Sequence, residues 1–279
     1  MLLVKGETQV NFMRKSKMLA KFRSGKVARI CAMGHFLPYF VRYAAHFRYD
    51  GIWLDLEHRA MDNREVQALL ALCHMVDIDC MVRPASVERN RLYRYLEDGA
   101  TGFLIPFASD EETAQQIVEA VKFPPLGNRG LDGTGLDGDY GLQAWGEGKH
   151  YVTDANNETF VIAQIETPEA VAAAEKVAAV DGIDGLFVGS ADLGLRLAQR
   201  DGAHQDLDSA IRQVAEAAQR HGKVWGAATG SFETLARYRQ MGAQVIPWGG
   251  DFGLRQVLAD CSAQLDSELS DEGSREVTL

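Results

Sequence analysis

Short apolar runs alternate with amphipathic stretches along most of this chain. The runs Val27–Met33, Ile52–Leu56, Cys80–Arg83, Gly102–Pro106, Phe160–Ile165, Gly185–Val188, Lys223–Ala227 and Gln244–Trp248 have the length and content of buried strands. Each is followed by a helix-like stretch, near Leu37–Phe47, Asn63–Met75, Glu88–Asp98, Glu111–Val121, Pro168–Ala179, Leu207–His221, Phe232–Met241 and Phe252–Leu265. Helix starts support this register. Asp62-Asn63-Arg64-Glu65 and Ser109-Asp110-Glu111-Glu112 fit capping-box spacing, and Thr167-Pro168 offers an N-cap followed by proline at the first helical position. A repeated strand-then-helix order predicts parallel strands, because each crossover consumes a helix. Eight such units in 279 residues fit a closed (β/α)8 TIM barrel better than an open doubly wound sheet.

Three segments stand outside the alternation. Residues 124–157 are glycine-rich and read as a long loop, of the kind that often serves as a lid or binding loop. Arg14–Arg23 is basic and helix-prone, and is expected to cover the closed bottom of the barrel. The polar tail from Ser267 is expected to be disordered, leaving residues 1–266 as one barrel domain with an N-terminal helix.

The formal net charge of −10 argues against binding a phosphate backbone. No apolar run approaches the roughly 18 to 20 residues that span a bilayer. The N-terminal Met1–Gly6 stretch is too short and too soon interrupted for a signal peptide. The four cysteines (Cys31, Cys73, Cys80, Cys261) lack CxxC spacing, which suggests reduced thiols and a soluble cytoplasmic protein without nucleic-acid or membrane partners.

The chemistry concentrates at predicted strand ends. Glu166 closes the run Phe160–Ile165, and Asp192 closes Gly185–Ala191 when that run is read as one strand. Buried strands do not finish on bare carboxylates without something positive to compensate them. Two such acids at matching ends of neighbouring parallel strands point to a divalent cation at the barrel mouth. His58 follows the second strand, with Asp55 three residues earlier and able to accept a ring N–H, as expected of a proton-transfer histidine. Arg83 ends the third strand and reads either as an ion-pair partner or as a cation that steadies an oxyanion. None of the nine lysines lies at a predicted strand C-terminus, which disfavours Schiff-base chemistry. Gly133–Gly138 matches G-x-G-x-x-G, but neither follows a strand nor opens a helix, and the aspartates around it lack calcium-loop spacing.

As an ordered set, Asp55-Leu56-Glu57-His58, Val82-Arg83-Pro84, Phe123–Gly130, Gln164-Ile165-Glu166-Thr167 and Val188–Leu193 resembles the 4-hydroxy-2-oxoheptanedioate aldolase and 2-dehydro-3-deoxyglucarate aldolase family, metal-dependent class II pyruvate aldolases. The resemblance runs from about Arg14 to about Leu265. It implies a barrel of the phosphoenolpyruvate/pyruvate type, with the last helix exchanged between paired subunits in a hexamer built from dimers. It implies Glu166 and Asp192 as ligands of Mg2+ or Mn2+, with Co2+ a further option. Gln164 and the backbone around Gly189, Ser190 and Ala191 would contact substrate, Arg83 would bind the keto oxygen, and His58, oriented by Asp55, would be the acid/base.

The chain also departs from the family pattern. Ala32 stands where tryptophan is common, Glu97 matches an aspartate that often reaches a neighbouring subunit's site, and Ser190 replaces the usual proline. His35 and Phe36 follow the first strand, where small residues are more usual, and glycines and aspartates replace an arginine-bearing stretch after Gly130. The expected reaction is cleavage or formation of a 4-hydroxy-2-oxo acid from pyruvate and an aldehyde. The alternative is a decarboxylase or synthase that generates the same enolate from oxaloacetate or a related 2-oxo acid. A sensor on a barrel frame ranks last, since Asp55, His58, Arg83, Glu166 and Asp192 are all present.

Overall fold

The computed structural model describes residues 13–142, 144–145, 149–199 and 206–269. Eight strands close into a barrel in chain order, every neighbouring pair parallel. They are β1 (Ala28–Met33), β2 (Gly51–Asp55), β3 (Asp79–Arg83), β4 (Gly102–Ile105), β5 (Phe160–Ile165), β6 (Gly185–Val188), β7 (Val224–Ala227) and β8 (Val245–Gly250). All eight expected strands are present. Among the described residues the helices number eleven, two more (α6 and α8) than the eight that follow strands and the one N-terminal helix expected: α1 (Lys17–Arg23), α2 (Pro38–His46), α3 (Asn63–Met75), α4 (Arg89–Glu97), α5 (Glu111–Val121), α6 (Tyr151–Glu158), α7 (Pro168–Ala179), α8 (Ser190–Ala198), α9 (Leu207–Arg220), α10 (Phe232–Gln240) and α11 (Leu254–Glu268).

Strand periodicity builds the interior. Ile30, Trp53, Met81, Leu104, Ile162 and Phe187 belong to one cluster inside the barrel, and the second residue on from each inward position points the same way. That step carries the lining from apolar side chains to Asp55, Arg83 and Gln164 at the strand tops. Parallel register sets them level: Asp55 pairs with Arg83, and Gln164 pairs with Phe187. A second, larger cluster fills the space between barrel and helices.

The N-terminal helix α1 packs against the barrel. Met18, Leu19 and Phe22 of α1 join the interior cluster, and the Met18 sulfur fills the space a side chain at Gly51 would need. Asp79, at the start of β3, accepts from Ser16 Oγ at 2.7 Å and Met18 N at 2.8 Å, and pairs with Arg14 at 2.6 Å. These bonds fasten α1 across the lower end.

The 124–157 segment differs from its expectation. It contains a short 3-10 turn at Leu136–Gly138 and the helix α6, and it lies at the lower end of the barrel. Gly99, in the α4–β4 connection, packs on Leu136, and Gly135 packs on Glu97. Arg129 is buried against Asp137 at 2.6 Å, with its guanidinium over the Phe123 ring. The described residues of this segment therefore form no lid over this chain's own strand tops. Its literal G-x-G-x-x-G is a set of close backbone approaches: a Cβ at Gly138 would stand 2.3 Å from the Gly133 carbonyl oxygen.

The tail expected from Ser267 begins as the last turn of α11; residues 270–279 lie outside the described residues. Cys31, Cys73 and Cys80 are buried, Cys261 is exposed, and all four are free thiols. No helix among the described residues is long and apolar enough to cross a membrane.

Candidate active site at the strand C-termini

The top of β2 and the top of β3 are joined by charge. Arg83 Nε donates to Asp55 Oδ1 at 3.0 Å, and its Nη2 lies 2.8 Å from Oδ2, so the pair is bidentate. Arg83 Nη1 lies 3.2 Å from Glu57, and the guanidinium stacks 4.9 Å over Trp53. Burial pushes the Asp55 carboxyl up, but Arg83 and the N–H groups of His58 and Glu57 outweigh burial and hold it below its ordinary value. Glu57 is driven up instead: burial leads, Arg83 opposes, and the Glu166 carboxylate adds repulsion.

This arrangement corrects the expectation for Asp55. Its Oδ1 accepts the backbone N–H of Glu57 at 3.1 Å and of His58 at 3.3 Å, while the rest of the carboxylate engages Arg83. Asp55 thus positions the His58 main chain, not the imidazole. The carboxylate facing the ring is Glu57, whose Oε2 is 3.7 Å from Nε2, longer than a hydrogen bond. The His58 side chain is exposed.

Across the mouth, Glu166 directly follows β5 and is only 2% exposed. Its Oε1 accepts from Phe107 N at 2.8 Å and its Oε2 from Gln164 Nε2 at 2.5 Å. Gln164 Oε1 is buried with no hydrogen-bond partner. Glu166 presses on Gly189, where an added Cβ would stand 2.7 Å from its Cβ. Gly189 in turn is the N-cap of α8, and its N–H donates to Ile165 O at 3.0 Å.

Asp192 departs from the strand reading. β6 stops at Val188, and Ser190, Ala191 and Asp192 form the first turn of α8. The Asp192 side chain is 44% exposed and pairs with Arg196, one turn on, at 2.8 Å. Glu166 and Asp192 therefore occupy adjacent loops at one end of the barrel, linked through Gly189. Glu97 lies at the end of α4, at the opposite end from these groups.

The chain belongs to the HpcH/HpaI aldolase/citrate lyase family. The family model matches residues 33–256, most of the barrel. The chain is 30% identical over 215 residues to the 2-keto-3-deoxy-L-rhamnonate aldolase of Klebsiella pneumoniae, covering 77% of this chain and 76% of that one. It is 32% identical over 218 residues to the 5-keto-4-deoxy-D-glucarate aldolase of Shigella sonnei, covering 76% and 83%. Among solved structures, an HpcH/HpaI aldolase from Desulfitobacterium hafniense DCB-2 superposes with a TM-score of 0.80 at 30% identity, covering 90% of this chain and 96% of that chain.

In this family member the structure gathers Asp55, Arg83, Gln164, Glu166 and Gly189 at one end, with His58 and Asp192 on the adjoining loops. It adds three groups that the sequence reading passed over. Glu57 was legible, since period two places it on the same inward side as Asp55. Arg196 was legible once α8 is known, being four residues from Asp192. The Phe107 N–H has no sequence signal, because every residue but proline carries one.

Proposed function

We propose that the site forms and consumes the enolate of a 2-oxo acid such as pyruvate, and that the protein is a divalent-metal-dependent aldolase. As a member of the aldolase family it is a carbon–carbon lyase. Cleavage of a 4-hydroxy-2-oxo acid releases an aldehyde and the enolate, which takes a proton to become pyruvate.

One observation carries this reading. Glu166 is a buried carboxylate fastened by two neutral donors, beside a buried Gln164 oxygen that has no partner. Unpaired negative charge at that depth is costly. Mg2+ and Mn2+ use one or two carboxylates and fill the remaining positions with water and substrate oxygens. Glu166 and Asp192 would hold the cation, which supplies Lewis acidity toward the substrate carbonyl. The free N–H groups at the start of α8, on Ser190 and Ala191, suit the substrate carboxylate. Gln164 presents its amide to the same space. Arg83, fixed by Asp55 and Glu57, offers a preorganised positive charge to the keto oxygen. His58 exchanges the proton at the methyl carbon of pyruvate with solvent.

Chelation with EDTA is expected to abolish exchange of the pyruvate methyl protons, and added Mn2+ or Mg2+ to restore it. Arg83→Ala is expected to abolish that exchange as well. Full exchange in the metal-stripped protein or in R83A rejects the assignment. A decarboxylase or synthase acting on oxaloacetate uses the same residues, and the family description includes citrate lyase. Product analysis with oxaloacetate, and with pyruvate plus small aldehydes, separates the two reactions.

The assembly proposed is a hexamer built as a trimer of dimers, the paired subunits exchanging α11. None of the residues of α11 is buried, and Leu254, Val257, Leu258 and Leu265 are exposed. A groove with Arg29, Tyr49, Leu235, Arg239, Ile246 and Trp248 in its lining lies on the outer wall where β1 meets β8. A partner's α11 would cover such a wall. Glu97 would then serve a neighbouring subunit's site, since its own lies at the other end of the barrel.

A further inference from the structure

His35 and Asp251 form a histidine–carboxylate pair at the barrel mouth. His35 follows β1 and Asp251 follows β8, so both stand at strand C-termini. His35 Nδ1 lies 2.8 Å from Asp251 Oδ2, and the same oxygen accepts Gly34 N at 2.9 Å. The carboxylate is 1% exposed and the imidazole 56% exposed. Asp251 Oδ1 is buried and has no hydrogen-bond partner. A carboxylate only accepts, so the ring proton sits on Nδ1 and the lone pair on Nε2 faces outward.

The pair is connected to the site. Arg59 lies along Gly34, donates to the His58 carbonyl at 2.6 Å, and stacks over Phe252 at 4.7 Å. Phe252 also packs against the His35 ring, with centroids 5.2 Å apart. His35 thus packs on Phe252, which stacks on Arg59, whose guanidinium bonds the main-chain carbonyl of His58. His58 itself has no carboxylate at hydrogen-bond distance. Two proton movements are needed in an aldol reaction, one at the methyl carbon of pyruvate and one at the oxygen of the aldehyde.

We propose that His35, held by Asp251, is the proton carrier for the aldehyde oxygen. This rests on the enolate-forming reading above and assigns its second half-reaction. In cleavage, Nε2 takes the proton of the C4 hydroxyl as that O–H bond breaks. The C3–C4 bond then breaks, the oxygen closes to the aldehyde carbonyl, and the bonding pair remains on the 2-oxo acid as its enolate. The imidazolium passes its proton to solvent, and the enolate takes one at C3. In condensation the imidazolium gives its proton to the forming alkoxide. Asp251 is the positioning residue, which sets the tautomer and steadies the charged ring.

The test compares two reactions in the same full-length, metal-loaded protein: exchange of the pyruvate methyl protons, and cleavage of the aldol adduct of pyruvate and acetaldehyde. In H35Q and H35A, cleavage is expected to fall about 10²-fold more than exchange, in kcat rather than KM. D251N is expected to shift the same ratio in the same direction. Glutamine keeps a hydrogen bond to Asp251, so H35Q controls for loss of folding. Equal loss of the two reactions in both His35 variants, or cleavage within threefold of wild type, overturns the assignment. Wild-type protein that exchanges no protons rejects the enolate reading itself, a different result from exchange with an unchanged ratio.

Discussion

Glu166 occupies the space that a side chain at Gly189 would need. A Cβ there would stand 2.7 Å from the Glu166 Cβ, 2.9 Å from its Oε2 and 3.3 Å from Gln164 Nε2. The backbone at Gly189 has φ of −76°, open to any residue, so glycine is required by space and not by conformation. Gly189→Ala is expected to displace the Glu166 carboxylate and weaken Mn2+ binding by at least about 10-fold, at a stability cost of about 1–3 kcal/mol. Calorimetric titration with Mn2+ checks this; unchanged affinity would separate Glu166 from the cation.

Asp55 links the site to acid stability. Burial raises its carboxyl, but Arg83 and two backbone N–H groups prevail and hold it below its ordinary value. A depressed folded-state pKa contributes stability above the unfolded value, about 3.9, and that contribution is lost as pH falls through the folded value. Asp55→Asn is expected to lower stability at pH 7 and to flatten the decline below about pH 4. Urea midpoints from pH 7 to pH 2.5 would show it. Parallel pH curves for variant and wild type would contradict the linkage.

Leu258 is exposed on a helix that buries none of its own residues. An amphipathic helix in water is held mainly by packing, so α11 requires a covering surface. Leu258→Glu is expected to shift the protein toward smaller species, as measured by sedimentation velocity. An unaltered mass would exclude this helix from the interface.

Arg129 and Asp137 form a buried pair, their side chains 1% and 3% exposed, and the Tyr151 hydroxyl donates to the same Asp137 oxygen at 2.6 Å. Burial raises the Tyr151 hydroxyl strongly, with the Asp137 bond adding to the effect. Arg129→Met leaves an uncompensated carboxylate and is expected to cost about 3–5 kcal/mol. The double variant R129M/D137L is expected to recover much of that loss, because no charge stays buried. Denaturant unfolding of both variants decides.

Which segments form strands was legible from the chain. Runs such as Phe160–Ile165 and Gly185–Val188 are buried on both faces, and their composition reports that directly. Helix starts at Asp62 and Thr167 were legible for the same local reason: one side chain caps one turn, and both caps are present. Glu166 and Arg83 stood out because charge at the end of an apolar strand is rare.

Partnerships were not legible. Asp55 lies three residues from His58, yet its side chain engages Arg83, twenty-eight residues away, because parallel register sets the two strand tops level. Residues 124–157 resemble a lid in composition, but which end of the barrel they pack against depends on Gly99 and Leu136 meeting in space. His35 and Asp251 are separated by 216 positions, and barrel closure between β1 and β8 brings them together. Sequence by itself determined the elements and the residue types at their ends, since both follow from local burial and periodicity. Tertiary structure decided which charges meet, because register and closure act across the whole chain and leave no local trace.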